Sequence, residues 1–403
     1  MHARSLAAIG VVAILAVGCS QPAASRSMSG AIKPIALLGS GTAPDTSRAS
    51  LEATVRTAEA RLKTTPTDAA SAVRLADALL RQARVLGNSG LMIRAERALR
   101  IVLNADPQRY DARRMLATVL VSQHRFREAI AEAERCQQVR PTDGWSYGVA
   151  GDAHLELGEY EQAFAAFARM NALHPDAASY ARLSYARELQ GDLDGAVIAM
   201  AMALEATSPS DPESQAWHHA QLGHLHLAQS RVTDAAREFE HAAFIFPDHP
   251  LALEGLVHAA SRQGRHADAL AQAERLISVA PSPGALALSA DELRAAGRTA
   301  DAARRDALAE AAWRTDAPEP ARLALFLAKR GDKIDEAVRL AESAARERDD
   351  IFTNDALAWA YFRAGRLEDA VRASARALRT GTADRDLRAR AAAIAQAAAS
   401  GTK

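Results

Sequence analysis

Apolar and polar residues alternate along this chain with a helical period, in short blocks that stop and restart. The stretch from Thr142 to Pro175, TDGWSYGVAGDAHLELGEYEQAFAAFARMNALHP, shows the unit. Its first block predicts an amphipathic helix over about Trp145 to Leu157, ending at Gly158. The second predicts a helix over about Tyr160 to Leu173, ending before Pro175. Glycine tolerates the left-handed turn that closes a helix, and proline cannot continue one. Gly151, Ala163 and Met170 fall where the two helices must lie close, while Tyr147, Tyr160 and Phe167 supply bulk for the gaps. One helix pair cannot bury such a face alone, so copies must stack.

The copies are visible in the spacing. The position of Gly158 recurs as Gly90, His124, Gly191, Ser230, Gly264, Gly297, Gly331 and Gly365, in steps of 34, 34, 33, 39, 34, 33, 34 and 34 residues. Alanine follows five residues later at Ala95, Ala129, Ala163, Ala196, Ala235, Ala269, Ala302 and Ala370, and one residue late at Ala337. Seven residues before the marks stand Ala83, Ala117, Gly151, Ser184, Gly223, Val257, Ala290, Ala324 and Ala358, of which only Val257 is not small. Prolines close the early copies at Pro107, Pro141, Pro175, Pro247 and Pro281, with Pro209 slightly displaced.

On these residues the chain resembles the tetratricopeptide repeat, a helix–turn–helix unit that stacks into a solenoid. The resemblance covers roughly Ala69 to Leu378, and Gly151 with Ala163 and Gly223 with Ala235 carry it most clearly. It implies an all-α fold: a tetratricopeptide repeat helical solenoid of about nine helix–turn–helix repeats in a right-handed superhelix. The solenoid is expected over residues 67–382, with a capping helix at 49–66 and a C-terminal capping helix and tail at 383–403. Such caps cover core faces that the two ends of a stack would otherwise expose. The 39-residue step places extra residues in TSPSDPES at 207–214, either a functional protrusion or a tolerated insertion.

The start of the chain reads differently. Residues 1–18 have a basic residue, Arg4, and an apolar run from Leu6 to Val17 that is short for a membrane span. The run leads into Ala16-Val17-Gly18-Cys19, which resembles the lipobox of bacterial lipoproteins. That likeness implies acylation of Cys19 and, with Ser20 rather than aspartate next, an outer-membrane lipoprotein facing the periplasm. A simple secretory signal that releases a soluble periplasmic or secreted protein is the alternative. Residues 19–48 have the Ser, Ala, Gly and Pro content of a flexible linker.

Charge changes the picture along the chain rather than in total. Lys+Arg and Asp+Glu both number 49. Residues 20–141 hold 19 basic against 11 acidic residues, residues 142–281 hold 8 against 19, and residues 282–403 hold 21 against 19. A basic first third and an acidic middle suit different partners, a curled and self-complementary superhelix, or simple drift on solvated faces. No continuous basic stripe points to nucleic acid. With Cys19 lipidated, Cys136 has no partner for a disulfide, and its place in the repeat is a packing position.

Most of the twelve histidines lie between His154 and His266, four of them in AWHHAQLGHLHLAQS. Chelation along one helix needs donors three or four residues apart, whereas His218, His219, His224 and His226 offer only other spacings. His219 and His226 share a face but lie about 10.5 Å apart at the helical rise, so no metal ligand set is expected. These histidines could still answer to pH below about 6.5. No GxSxG, HExxH, P-loop or dinucleotide fingerprint occurs, so neither an enzyme nor a cofactor is expected.

What remains is the concave groove. The resemblance places on its inner wall Trp145, Asp152, Glu156, Tyr185, Glu188, Trp217, His224, Glu254, His258, Phe352, Trp359 and Phe362. Aromatic anchors beside carboxylates suit a peptide or partner helix, unless Trp145 and Trp217 merely pack between repeats. The expectation is a non-catalytic scaffold or adaptor in the cell envelope, with a protein partner and a lipid contact to the membrane. Envelope assembly, secretion, pilus biogenesis and control of cell-wall enzymes are all compatible settings. The alternative is a pH- or metal-responsive sensor centred on the acidic, histidine-rich middle repeats.

Overall fold

The computed structural model describes residues 47–86, 88, 90–315 and 319–401. The leader, Cys19 and the linker up to residue 46 lie outside the described residues. Within them the chain forms twenty α-helices and no strand. After α1 (Arg48–Thr64) the helices run in antiparallel pairs: α2 (Ala69–Leu86) with α3 (Leu91–Ala105), and α4 (Tyr110–Ser122) with α5 (Phe126–Val139). Next come α6 (Gly144–Glu156) with α7 (Tyr160–Leu173), α8 (Ala177–Leu189) with α9 (Leu193–Glu205), and α10 (Pro212–Ala228) with α11 (Val232–Ile245). Then follow α12 (Pro250–Arg262) with α13 (His266–Val279), and α14 (Pro283–Ala295) with α15 (Thr299–Thr315). The last pairs are α16 (Pro320–Arg330) with α17 (Ile334–Glu347) and α18 (Ile351–Arg363) with α19 (Leu367–Ala377), before a final helix α20 (Arg385–Gly401). Each pair packs on the next, with α1 against α2 and α20 against α18 and α19.

The recurring mark is a backbone conformation. Gly158, Gly191, Gly264, Gly297, Gly331 and Gly365 all take positive φ, and so do the two non-glycine marks, His124 (59°) and Ser230 (64°). In each turn the chain folds back onto the helix it has left. The Glu159 amide donates to the His154 carbonyl at 2.8 Å, and the Arg231 amide to that of His226 at 2.8 Å. Gly90, with φ −61°, instead begins α3 as its N-cap. At the eighth turn Lys333 adds a second left-handed residue after Gly331, which accounts for the late alanine at Ala337.

Helix pairs close through complementary sizes. A Cβ on Gly151 would meet the Phe167 ring at 2.5 Å, and one on Gly223 would meet Phe239 at 2.5 Å. In α12 and α13 the sizes reverse: Val257 packs with Ala269 and Ala273. The exception in the small-residue column is therefore matched by alanine where α7 and α11 carry Phe167 and Phe239.

The stack also coils back on itself, and two seams join distant repeats. In the first, α1 and α2 meet α10 to α12. Arg48 donates to the Asp248 carbonyl at 3.1 Å and lies over the Phe246 ring. Arg84 reaches the fully buried Glu213 carboxylate at 2.7 Å, and Arg81 contacts both Asp211 and Glu213 at 3.2 and 3.3 Å. Asp211 and Glu213 belong to the insertion at 207–214, which here caps α10, lengthens its first turn and ties it to α2. Basic first-third residues thus pair with acidic residues of the middle.

In the second seam the segment joining α17 to α18 meets the turn between α6 and α7. The Asp349 amide donates to the Leu157 carbonyl at 3.3 Å, and the Ile351 amide to the Tyr160 hydroxyl at 2.8 Å. Arg379 donates to the Gly158 carbonyl at 3.1 Å. A Cβ on Gly158 would strike the Asp349 carbonyl, and one on Gly191 would lie 2.5 Å from the Gly381 carbonyl oxygen. Further along, Arg385 donates to the Ser230 hydroxyl at 3.3 Å.

Candidate functional site

The first helix of each pair supplies the residues expected on the inner wall, and the structure divides them into two groups. Trp145 is already engaged. Its ring lies between the guanidiniums of Arg114 (4.9 Å) and Arg182 (5.8 Å), from the repeats on either side, and its indole N–H donates to Thr118 at 3.2 Å. Asp152 receives both arms of Arg182 at 2.9 and 2.6 Å. Trp217 packs against the cluster containing Met200, Leu222 and Leu225, with His218 edge-on at 5.1 Å. Trp359 and Phe362 lie against each other at 5.1 Å and join the core between repeats, whereas Phe352 is 45% exposed. Trp145 and Trp217 thus both pack between neighbouring repeats.

The second group is linked by charge to residues of distant repeats. Glu156 pairs with Arg348 at 2.6 Å across the second seam, and burial, countered by that arginine, raises its pKa. Tyr185 stays 37% exposed, yet protein surrounds it closely. That desolvation, with Glu156 and Glu188 next, pushes its phenol pKa up. Glu188, one helical turn from Tyr185, is pushed up to about 7 by burial and then by the Asp384 carboxylate. No ion pair to Glu188 is found among the described residues.

On the next repeats, burial lowers the His224 pKa, and this ring sits edge-on to Phe239 at 5.0 Å. Glu254 and His258 lie 3.8 Å apart. Burial opposes ionisation of Glu254, but His258 and His224 hold it below the ordinary carboxylate range. Arg322 of α16 acts on both Glu156 and Glu254 from a distant repeat, closing the circuit of charges.

Sequence reasoning missed Arg322, Arg348, Asp350 and Asp384, because each acts on this group from a repeat far along the chain. It also placed too much titration in the histidines. Burial holds His218 and His249 down to about 4, so these two stay neutral through the range where a pH response was expected. Cys136 is fully buried, and burial pushes its thiol up to about 11, as suits a packing residue. The search for metal ligands along single helices overlooked neighbours across a helix pair. His219 of α10 and Glu238 and His241 of α11 bring one ligand atom each to within 4.8 Å of the others.

The tetratricopeptide repeat family model matches residues 149–212 and 221–285. Among solved structures the chain is similar to one in the APC/C hetero-tetramer Cut9–Hcn1, at 13% identity and a TM-score of 0.50, over 86% of this chain and 59% of that one. It therefore spans less than two thirds of that relative's length. It is also similar to the human IFIT1 dimer with m7Gppp-AAAA, at 16% identity and a TM-score of 0.54, over 83% of this chain and 78% of that one. A tetratricopeptide repeat protein from Parabacteroides merdae ATCC 43184 aligns at 17% identity with a TM-score of 0.44, over 62% and 98% of the two chains. No curated protein matches the sequence. The fold is an all-α tetratricopeptide repeat solenoid, and likeness at such identities is a likeness of fold.

Proposed function

We propose that this protein is a non-catalytic interaction scaffold that grips an extended peptide or partner helix in the lumen of its solenoid. Repeats of this kind are chiefly interaction surfaces, and no helix among the described residues is long and apolar enough to cross a membrane. The lipobox-like Ala16-Val17-Gly18-Cys19 supports attachment through an acylated Cys19, at the outer membrane and facing the periplasm. The observation that carries the binding reading is the pair Tyr185 and Glu188. An accessible phenol stands beside a carboxylate that has no ion pair among the described residues and is pushed up to about 7. A lysine or arginine side chain of the partner supplies the missing charge, while Tyr185 offers a rigid face for its alkyl stem.

The test is a peptide array of extended segments, with and without Lys and Arg, probed with residues 20–403 and with Tyr185→Ala and Glu188→Gln. Basic peptides should bind the parent and lose most of their affinity for both variants at equal helicity. Equal binding of neutral or acidic peptides, or unchanged binding by both variants, sinks the reading. Trp145→Ala is the wrong probe, since it removes a contact between repeats rather than one to a ligand.

A further inference from the structure

We propose that His219, Glu238 and His241 form a site for a divalent transition metal, Zn²⁺ foremost, that clasps α10 to α11. His219 Nδ1 already lies 2.7 Å from a Glu238 carboxylate oxygen, and the His219 and His241 rings meet edge to face at 5.6 Å. Glu238 and His241 are three residues apart on α11, so they project from one face. Two imidazoles and a carboxylate are a familiar Zn²⁺ donor set, with a fourth position left for water. Tetrahedral coordination at Zn–N and Zn–O bonds near 2 Å needs donors about 3.3 Å apart. The gap from 4.8 Å is within reach of a rotation of His241, which is exposed and free to swing. With the metal on Nδ1, the ring proton of a neutral His219 sits on Nε2, and the carboxylate oxygen that faced Nδ1 turns to the metal.

Comparison with other repeats separates this site from an ordinary ion pair. The same three positions hold Arg113, Glu132 and Arg135 in α4 and α5, where both guanidiniums donate to Glu132. In α6 and α7 they hold Tyr147, Ala166 and Arg169, with the guanidinium 5.8 Å from the ring. In α18 and α19 they hold Asn354, Ala373 and Arg376, joined at 2.7 Å. In these repeats the position is thus a contact between the two helices of a pair, whereas α2 with α3 holds Leu79, Ala98 and Ile101 there. Guanidinium has no lone pair to offer a metal, whereas imidazole does. Of these four repeats, only α10 and α11 build the clasp entirely from groups that can ligate.

The experiment uses the full chain without a polyhistidine tag, stripped with a chelator and titrated with Zn²⁺ by calorimetry and with Co²⁺ by visible absorption. One ion per chain and a raised melting temperature are expected. His241→Ala, which removes an exposed ring, and Glu238→Gln should each weaken binding roughly ten- to a hundred-fold. His258→Ala in α12 should leave it unchanged. If either site variant loses its native circular dichroism, the other carries the test. Absence of saturable binding, parent-like affinity in both site variants, or loss in His258→Ala alone would overturn the proposal and leave an imidazole–carboxylate ion pair.

Discussion

The two seams that close the solenoid are built from different chemistry. Where α2 meets α10, side chains do the joining: two guanidiniums converge on one fully buried carboxylate, supplied by an insertion absent from the other repeats. Where α6 and α7 meet α18, the backbones approach closely enough for a main-chain bond, arginines reach across to carbonyl and carboxylate oxygens, and glycine keeps the approach open. A charged seam tolerates changes of backbone but not the loss of one partner. A seam where backbones approach this closely does not tolerate an added methyl group. The repeat pattern is indifferent to both, since each seam overlays it.

The largest effect should come from the charged seam. Arg81→Ala with Arg84→Ala removes two cations from the buried Glu213 and should cost about 3–5 kcal/mol in urea unfolding. Replacing the trio together, as Arg81→Met, Arg84→Met and Glu213→Leu, should restore stability to within about 1 kcal/mol of the parent. A triple variant as weak as the double one would show that charge itself is required. At the backbone seam, Gly158→Ala meets both a left-handed φ and the Asp349 carbonyl, and about 2–4 kcal/mol should be lost by the same measure. A loss below about 1 kcal/mol would mean that this seam opens readily.

Glu188, beside Asp384 near that seam, gives a pH-dependent test. Its folded pKa of about 7 exceeds the ordinary 4.5, so the native state binds the extra proton. Its contribution is full below about 4.5 and is lost as pH rises to about 7. Glu188→Gln should therefore match the parent at pH 4 and exceed it by about 1–3 kcal/mol at pH 8. A difference independent of pH would place the carboxylate in open water. The smallest effect belongs to Ser230→Gly, which relieves a left-handed serine but removes the Arg385 contact. A gain of about 0.5 kcal/mol in thermal unfolding would show that backbone relief outweighs that contact.

Legibility in the sequence follows distance along the chain. The 34-residue marks predicted the turns so well that His124 and Ser230 adopt the left-handed conformation of the glycines they replace. Gly151 announced its contact with Phe167, because close helices demand one small and one large residue. The insertion at 207–214 was visible as a length but not as a tie to Arg81 and Arg84, which lie 129 to 133 residues away. For the same reason Tyr185 and Glu188 could be placed on the inner wall, while Arg322 and Asp384 could not. Trp145 looked like an anchor because nothing in its own repeat occupies it; the two arginines that do come from the neighbouring repeats.

The contact between Arg48 and Asp248 has a consequence for how the chain is made. An open array of repeats can fold unit by unit as it leaves the ribosome, each needing only its neighbour. Here the first helix waits for a residue 200 positions later. At about 5–20 residues per second that is a delay of roughly 10–40 s, during which the edge of the first repeats has no mate. The basic surplus of those early repeats favours hydration of that edge until the acidic middle arrives to pair with it.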